Sequence, residues 1–226
     1  MATTLQTLDR GLQALDLIGR QTRDITVAEL AKELNVHRAV AYRIVATLQK
    51  HGLVTRTPDG PIRLGAGITR IATGFEPQLR EVALPLLQSL ADAAQATAFV
   101  TVAQGEECVV VHVAEPEVGL LRVGYRVGSR HPLSLGAAGL AILAGREPQP
   151  HEPDAVRQAR ANGYCLTRGQ LQEGALGIAS PLKDPQRKSD LEAAVGVVAM
   201  NDLDTEVAID TVKGVARTIA QRLGMR

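Results

Sequence analysis

The segment that decides the fold, ITVAELAKELNVHRAVAYRIVATLQKHGLVTRTPDGPIRL, covers residues 25–64. Thr26 and Glu29 stand at the spacing of a capping box, in which two side chains satisfy backbone amides at the start of a helix. Apolar residues then recur every three to four positions, which predicts a helix over residues 26–34 with one buried face. Asn35 follows, and asparagine tolerates the left-handed conformation that ends many helices.

A second helix is predicted over residues 38–51, where the same apolar period returns before Gly52 ends it. Its opposite face is polar and basic. A DNA major groove about 12 Å wide admits one helix, whose amino-terminal residues then reach the base edges. The residues expected to contact DNA from this helix are Arg38, Ala39, Tyr42, Arg43 and Lys50.

Two short strands are predicted after the second helix, over residues 53–57 and 62–64, around the turn Pro58-Asp59-Gly60-Pro61. Asp-Gly between short apolar strands indicates a β-hairpin. A hairpin at this position is the wing of a winged helix-turn-helix, with Arg56 and Arg63 near the DNA backbone. The alternative is a protein that never binds DNA and whose basic helix face is simply solvated. The hairpin at the correct place favours the DNA-binding interpretation.

Composition limits the partner classes. The 226 residues fit one large domain or two smaller ones, and the net charge is +1. Residues 1–64 hold nine Lys+Arg and six Asp+Glu, a net charge of +3, which leaves −2 for residues 65–226. The basic excess therefore lies on the predicted DNA-binding segment. Scarce aromatic residues argue against a protein that stacks single-stranded bases.

The sequence shows neither a leader nor an apolar run long enough to span a membrane, so we expect a soluble cytoplasmic protein. Cys108 and Cys165 are expected to be buried small hydrophobes rather than a disulfide.

The rest of the N-terminal part predicts a first helix over residues 4–20, whose leucines would pack behind the two helices. These leucines are Leu5, Leu8, Leu12 and Leu15. Gly65-Ala66-Gly67 forms a seam, and a short linking helix is expected over residues 68–72. The chain is therefore divided into a DNA-binding domain over residues 1–64, a linker helix over 65–75 and a C-terminal domain over 76–226.

The C-terminal part opens with an amphipathic helix over residues 79–96, which Pro85 either kinks or splits in two. Short apolar runs then indicate strands, while residues 128–133 are expected to form a loop. Strands are predicted over residues 98–102, 108–113, 120–127, 175–182 and 193–200, and helices over 135–143, 154–162 and 205–223. Helices at both ends of a mixed or antiparallel sheet make an α+β fold.

No catalytic or cofactor-binding pattern stands out in the sequence. Cys108 and His112 could share one face of a strand, but two ligands do not make a zinc site. No nucleophile elbow, P-loop or dinucleotide fingerprint is present, so we expect no enzyme, metal or cofactor. The apolar interior with small-residue gaps suits a small-molecule site. Two alternatives stay open: a packed core that only oligomerises, and a small-molecule hydrolase.

Taken together, the chain resembles the IclR family of transcriptional regulators over nearly its whole length. The pieces that carry the likeness are TLDRGL (7–12), AELA (28–31), YRIVATL (42–48) with GLV (52–54), GSRHPL (128–133) with GAAG (136–139), and EGALGIASPL (173–182). The resemblance implies a winged helix-turn-helix, a linker helix and a GAF-like effector domain. It also implies homodimers or tetramers on DNA, and small effectors that are commonly acidic or aromatic. A dimer with two recognition helices calls for a pseudo-palindromic operator.

The resemblance also places the effector contacts, at Leu133, Ala137, Ala138, Gly177, Gly196 and Val198. Relatives that hold small acids carry Cys or Ser at several of these positions, whereas Gly177, Gly196 and Val198 remove those donors. We therefore expect a ligand larger or more apolar than a two- or three-carbon acid. At the start of the recognition helix the family usually carries Ser-Thr, and here Ala39 and Val40 stand instead.

Overall fold

The chain forms two units in the computed structural model, Met1–Pro77 and Gln78–Arg226. The structure describes residues 4–21, 23–56, 60–117, 124–183, 190–200 and 203–225. An N-terminal helix-turn-helix and a C-terminal antiparallel sheet with helices make the fold α+β, as the sequence predicts.

The N-terminal unit contains four helices and one hairpin among its described residues. In chain order they are α1 (Gln6–Arg20), α2 (Val27–Glu33), α3 (Arg38–Lys50), β1 (Val54–Arg56), β2 (Ile62–Leu64) and α4 (Gly67–Ala72). The predicted capping box is present, because the Glu29 amide donates to Thr26 Oγ1 at 3.2 Å and the Thr26 amide donates to Glu29 Oε2 at 2.8 Å. Asn35 has a φ of 49°, so the left-handed turn between α2 and α3 is confirmed.

The leucine stripe of α1 differs from the sequence expectation. Ala14 and Ile18 form the buried face of α1, whereas Leu5, Leu8 and Leu12 are 75%, 59% and 57% exposed. The expectation that these three leucines pack behind the recognition helices is therefore wrong. Helical period identifies an apolar face, but it does not identify the surface that covers that face.

The hairpin β1–β2 is antiparallel, with Thr55 opposite Arg63, and its tip at residues 57–59 lies outside the described residues. Glycines fix the corner between α3 and this wing. Gly52 has a φ of +70°, and a Cβ added at Gly65 would lie 2.3 Å from the Gly52 carbonyl oxygen. The Ile62 amide also donates to the Ile25 carbonyl at 2.7 Å, which ties the wing to the residues before α2.

The C-terminal unit is built on a six-stranded antiparallel sheet in the order β5-β4-β3-β8-β7-β6. Its elements are α5 (Pro77–Ala94), β3 (Thr97–Gln104), β4 (Glu107–Ala114), β5 (Arg130–Pro132), α6 (Gly136–Gly145), α7 (Asp154–Asn162), β6 (Cys165–Arg168), β7 (Ala175–Pro181), β8 (Ala193–Met200) and α8 (Thr205–Arg222). Apolar residues of α5 and α8 cover one face of the sheet, and those of α6 and α7 cover the other.

Three predictions in this unit need correction. Residues 130–132 form an edge strand where a loop was expected, and β6 has no counterpart in the prediction. Residues 124–127 carry no strand, while the rest of the predicted strand, residues 120–123, lies outside the described residues. Pro85 lies inside one continuous helix, so the splitting alternative is wrong.

A β-bulge separates Cys108 from His112. The register of β4 against β3 shifts between Val100 and Thr101, so Cys108 lies opposite Ala103 and His112 opposite Val100. Cross-strand partners share a face of the sheet. Val100 belongs to the α5–α8 side and Cys108 to the α6–α7 side, so the idea that Cys108 and His112 share a face is wrong.

Candidate DNA interface and effector cavity

The helix α3 has one buried and one exposed face, and the exposed face carries the predicted DNA residues. The buried positions are Ala41, Ile44, Val45 and Leu48. The exposed positions include Arg38, Ala39, Tyr42, Arg43 and Lys50. His37 precedes the helix without a side-chain cap, and the Val40 amide donates to the His37 carbonyl at 2.8 Å. The side chain of His37 therefore does not shield the positive end of the helix dipole from a partner.

Tyr42 brings together a cation from α3 and a cation from the wing. The guanidinium carbon of Arg38 lies 5.7 Å from the centroid of the Tyr42 ring, and that of Arg56 lies 5.1 Å from it. Both distances lie within the range of cation–π attraction. The ring therefore positions two positive groups on neighbouring elements, an arrangement that suits a phosphate.

Arg63 is already engaged inside the protein. Its Nε donates to Asp24 Oδ1 at 2.8 Å, and its Nη2 donates to Asp24 Oδ2, a bidentate pair. The hydrogen bond from Arg63 lowers the pKa of the Asp24 carboxyl. Arg63 thus connects β2 to the segment before α2, and its charge has a carboxylate partner.

A cavity of about 250 Å³ lies on the α6 side of the C-terminal sheet. Four of the six predicted effector residues line it: Ala137, Ala138, Gly177 and Val198. Leu133 and Gly196 are not in the lining and are buried. A Cβ at Gly196 would lie 2.7 Å from Phe99 Cζ, so this glycine makes room for an aromatic ring that forms a wall of the cavity.

The polar lining of the cavity was missed by sequence reasoning. Tyr125 Oη lies 3.0 Å from His131 Nε2, and Gln170 Oε1 accepts from the Gly136 amide at 2.8 Å. Burial raises the pKa of the Tyr125 phenol, which is therefore neutral. Gly128, which lies between Tyr125 and His131 in the chain, has a φ of +86°. A glycine in the sequence does not by itself reveal which side chains such a turn brings together.

Charge in the cavity wall is locally balanced. Arg130 lines the cavity, and its Nε and Nη2 donate to Glu107 Oε2 at 3.0 and 2.8 Å. Burial raises the pKa of the Cys108 and Cys165 thiols to about 11 each, so neither side chain is a thiolate at neutral pH. Among the described residues, no group of His, Cys, Asp and Glu could hold a metal ion.

Comparison with known proteins assigns the family. The model of the IclR helix-turn-helix domain matches residues 7–58. The glycerol operon regulatory protein of Streptomyces coelicolor is 26% identical over 256 residues, covering 99% of this chain and 98% of that protein. The chain belongs to the IclR family of transcriptional regulators. This regulator is therefore a DNA-binding protein of a non-enzyme family, as the sequence predicts.

Solved structures of IclR proteins share its fold. The IclR of Thermotoga maritima superposes with a TM-score of 0.73 at 23% identity, over 98% of this chain and 100% of that one. An IclR homolog from Microbacterium hydrocarbonoxydans, solved in complex with 4-hydroxybenzoate, superposes with a TM-score of 0.79 at 22% identity, over 97% and 100% of the two chains. None of the helices formed by the described residues combines the length and apolar character needed to cross a bilayer.

Proposed function

We propose that this IclR-family regulator binds a pseudo-palindromic operator as a homo-oligomer, and that a metabolite in the C-terminal cavity sets its operator affinity. Residues 1–64 are the DNA-binding domain in this proposal, residues 65–75 a linker helix, and residues 76–226 the effector-binding and oligomerisation domain. Because it acts on DNA, we place the protein in the cytoplasm.

The observation that carries the DNA-binding part is the cluster of Arg38, Tyr42 and Arg56. It joins the amino-terminal end of α3 to the wing through one aromatic ring. Arg38 and Arg43 read base edges or phosphates in this proposal, while Lys50 and Arg56 contact phosphates. Arg63 is the weaker contributor among the predicted residues, because Asp24 shares its charge.

The homo-oligomer is supported by the exposed leucines of α1. Leu5, Leu8 and Leu12 are large apolar side chains on one helix of the DNA-binding unit, and the fold of a single chain leaves them exposed. Burying a leucine side chain is favourable by about 1.5–3 kcal/mol. A second copy of the chain, meeting them with the same three leucines, gives a symmetric interface that holds two recognition helices at a fixed separation.

The effector part is supported by the cavity. Its 250 Å³ exceed what a two- or three-carbon acid fills, and Gly177 and Val198 supply no side-chain donor. Its walls include Phe99 and Tyr125, whose ring centroids lie 4.8 Å apart in an edge-to-face contact. The relative that holds 4-hydroxybenzoate supports an aromatic acid as the class of effector. Tight, specific binding of glyoxylate or pyruvate in calorimetry would contradict this choice.

Effector control of DNA binding requires a differential affinity of the ligand for two states of the protein. The test is a titration of operator DNA with and without the candidate aromatic acids. A shift of operator affinity by a ligand supports the proposal. If the ligand bound without changing the operator affinity, the C-terminal domain would bind ligands or oligomerise but would not control DNA binding.

A further inference from the structure

Two side chains in the cavity, Tyr125 and His131, form a hydrogen bond whose donor and acceptor follow from the neighbouring groups. His131 Nδ1 lies 3.1 Å from the Pro132 carbonyl oxygen, and His131 Nε2 lies 3.0 Å from Tyr125 Oη. His131 is 7% exposed, and both side chains line the cavity.

The carbonyl of Pro132 can only accept a hydrogen bond, so His131 Nδ1 carries the proton. In the neutral ring Nε2 is then an acceptor, and the Tyr125 hydroxyl donates to it. That hydrogen bond uses the only proton of the Tyr125 hydroxyl. The phenolic oxygen therefore offers lone pairs to a ligand in the cavity.

We propose that the Tyr125–His131 pair selects effectors that donate a hydrogen bond to Tyr125 Oη, the fitting class being a monocyclic aromatic with a hydroxyl or amino group. This inference rests on the proposed effector function of the same cavity. A ligand without a donor leaves the Tyr125 oxygen facing an apolar group without a partner, which costs affinity.

The remaining walls agree with a flat ligand that carries little charge at this end. Phe99 packs edge-to-face against Tyr125, and together with Ala137 and Val198 it gives the cavity apolar walls against which a ring can lie. The Arg130 guanidinium is paired with Glu107, so it does not offer an unpaired positive charge to an anionic group of the ligand. The hydrogen-bond donor of the ligand is therefore recognised by a neutral acceptor, Tyr125 Oη, rather than by a charged group.

The test compares ligand pairs in which methylation removes the hydrogen-bond donor, and the Tyr125→Phe variant then separates loss of the donor from the added size of the methyl groups. The probes are 3- and 4-hydroxybenzoate against their O-methyl ethers, and 4-aminobenzoate against its N,N-dimethyl form. Dissociation constants are measured by calorimetry on the full-length protein. The wild type should bind the donor form about tenfold more tightly than the methylated form, the size expected for one hydrogen bond whose loss leaves an unpaired group.

Two variants separate selection from packing. Tyr125→Phe removes the accepting oxygen, and His131→Phe removes the acceptor that holds the Tyr125 proton, so the hydroxyl becomes free to donate. Both should bring the ratio of the two affinities from about tenfold to below about threefold. Tyr164→Phe is the matched control, because Tyr164 packs on the opposite side of the sheet and contacts Lys213. It should keep the wild-type ratio.

If the pair had only a structural role, Tyr125→Phe would weaken the binding of both forms of a probe equally, and the ratio of the two affinities would not change. That result would overturn the inference. Equal binding of both forms to the wild type would also overturn it, while leaving effector control intact. Binding of no aromatic probe would overturn it too. A thermal-shift screen of aliphatic metabolites then decides whether effector binding itself fails.

Discussion

Replacing Tyr42 by leucine should weaken operator binding without unfolding the domain. The ring of Tyr42 positions the guanidinium groups of Arg38 and Arg56, which lie 5.7 and 5.1 Å from its centroid. Without the ring, the Arg38 side chain must be ordered when DNA binds, while Arg56 keeps a further interaction of its own. Ordering one long side chain at an interface costs about 0.5–1.5 kcal/mol. The dissociation constant should therefore rise about 2- to 13-fold.

Fluorescence anisotropy with a labelled operator duplex measures this change. Tyr42→Phe is the matched control, since it keeps the ring and loses only the hydroxyl. Because the arginines remain, the dependence of log K on log salt should keep its slope in Tyr42→Leu. The melting temperature should stay near the wild-type value, because the Tyr42 side chain is exposed. Affinity within twofold of wild type would refute the reasoning, and so would an equal loss in Tyr42→Phe.

Other predictions address the remaining parts of the molecule. Arg43→Ala should weaken operator binding by about 1–3 kcal/mol and relax base preference, measured on a panel of operator variants. Leu12→Asp should weaken the oligomer and shift the protein toward smaller species in sedimentation velocity, because it places a charge in the interface proposed for α1, while contacts of residues 76–226 remain. Gly65→Ala should lower the free energy of unfolding by about 1–3 kcal/mol, since the new Cβ meets the Gly52 carbonyl, and urea titration measures it. Burial, followed by the charge of Arg80, lowers the pKa of His112, so stability should fall as the pH drops through 6.5, the pKa expected in the unfolded chain.

Each of these predictions has its own control. An unchanged base preference in Arg43→Ala would contradict its role in the major groove. Leu12→Ala keeps the surface uncharged and should dissociate the oligomer less than Leu12→Asp. Gly11→Ala should not destabilise the protein, because nothing lies within 4 Å of its added Cβ. A His112→Leu variant should flatten the fall of stability that begins as the pH drops through about 6.5, and an unchanged slope would assign the dependence to other groups.

The N-terminal unit was predictable because its signals are local. A capping box, a 3.6-residue period and an Asp-Gly turn each fix structure within a few residues, and the bounds of α2 and α3 agree with the prediction to within a residue or so. The exposed leucines of α1 were not predictable in the same way. Their environment depends on which other surface meets them, and period alone carries no such information.

In the C-terminal unit, the features that form the cavity depend on contacts between residues that are not adjacent in the sequence, so local patterns do not predict them. The edge strands β5 and β6 are three and four residues long, too short for an alternation pattern to identify. The bulge in β4 places Cys108 and His112 on opposite faces of the sheet, and only the register of β4 against β3 shows this. The Tyr125–His131 pair depends on the left-handed turn at Gly128, and a sequence pattern does not assign partners across such a turn.

The most direct test of the central claim is a titration of the purified protein against DNA from the intergenic region beside its own gene. A shuffled duplex of equal length serves as the control at moderate salt. If the protein recognises an operator there, it should prefer the native duplex by about 1,000-fold or more, as sequence-specific regulators do. Equal and steeply salt-dependent binding to both duplexes would leave only phosphate attraction, and would contradict operator recognition at this site.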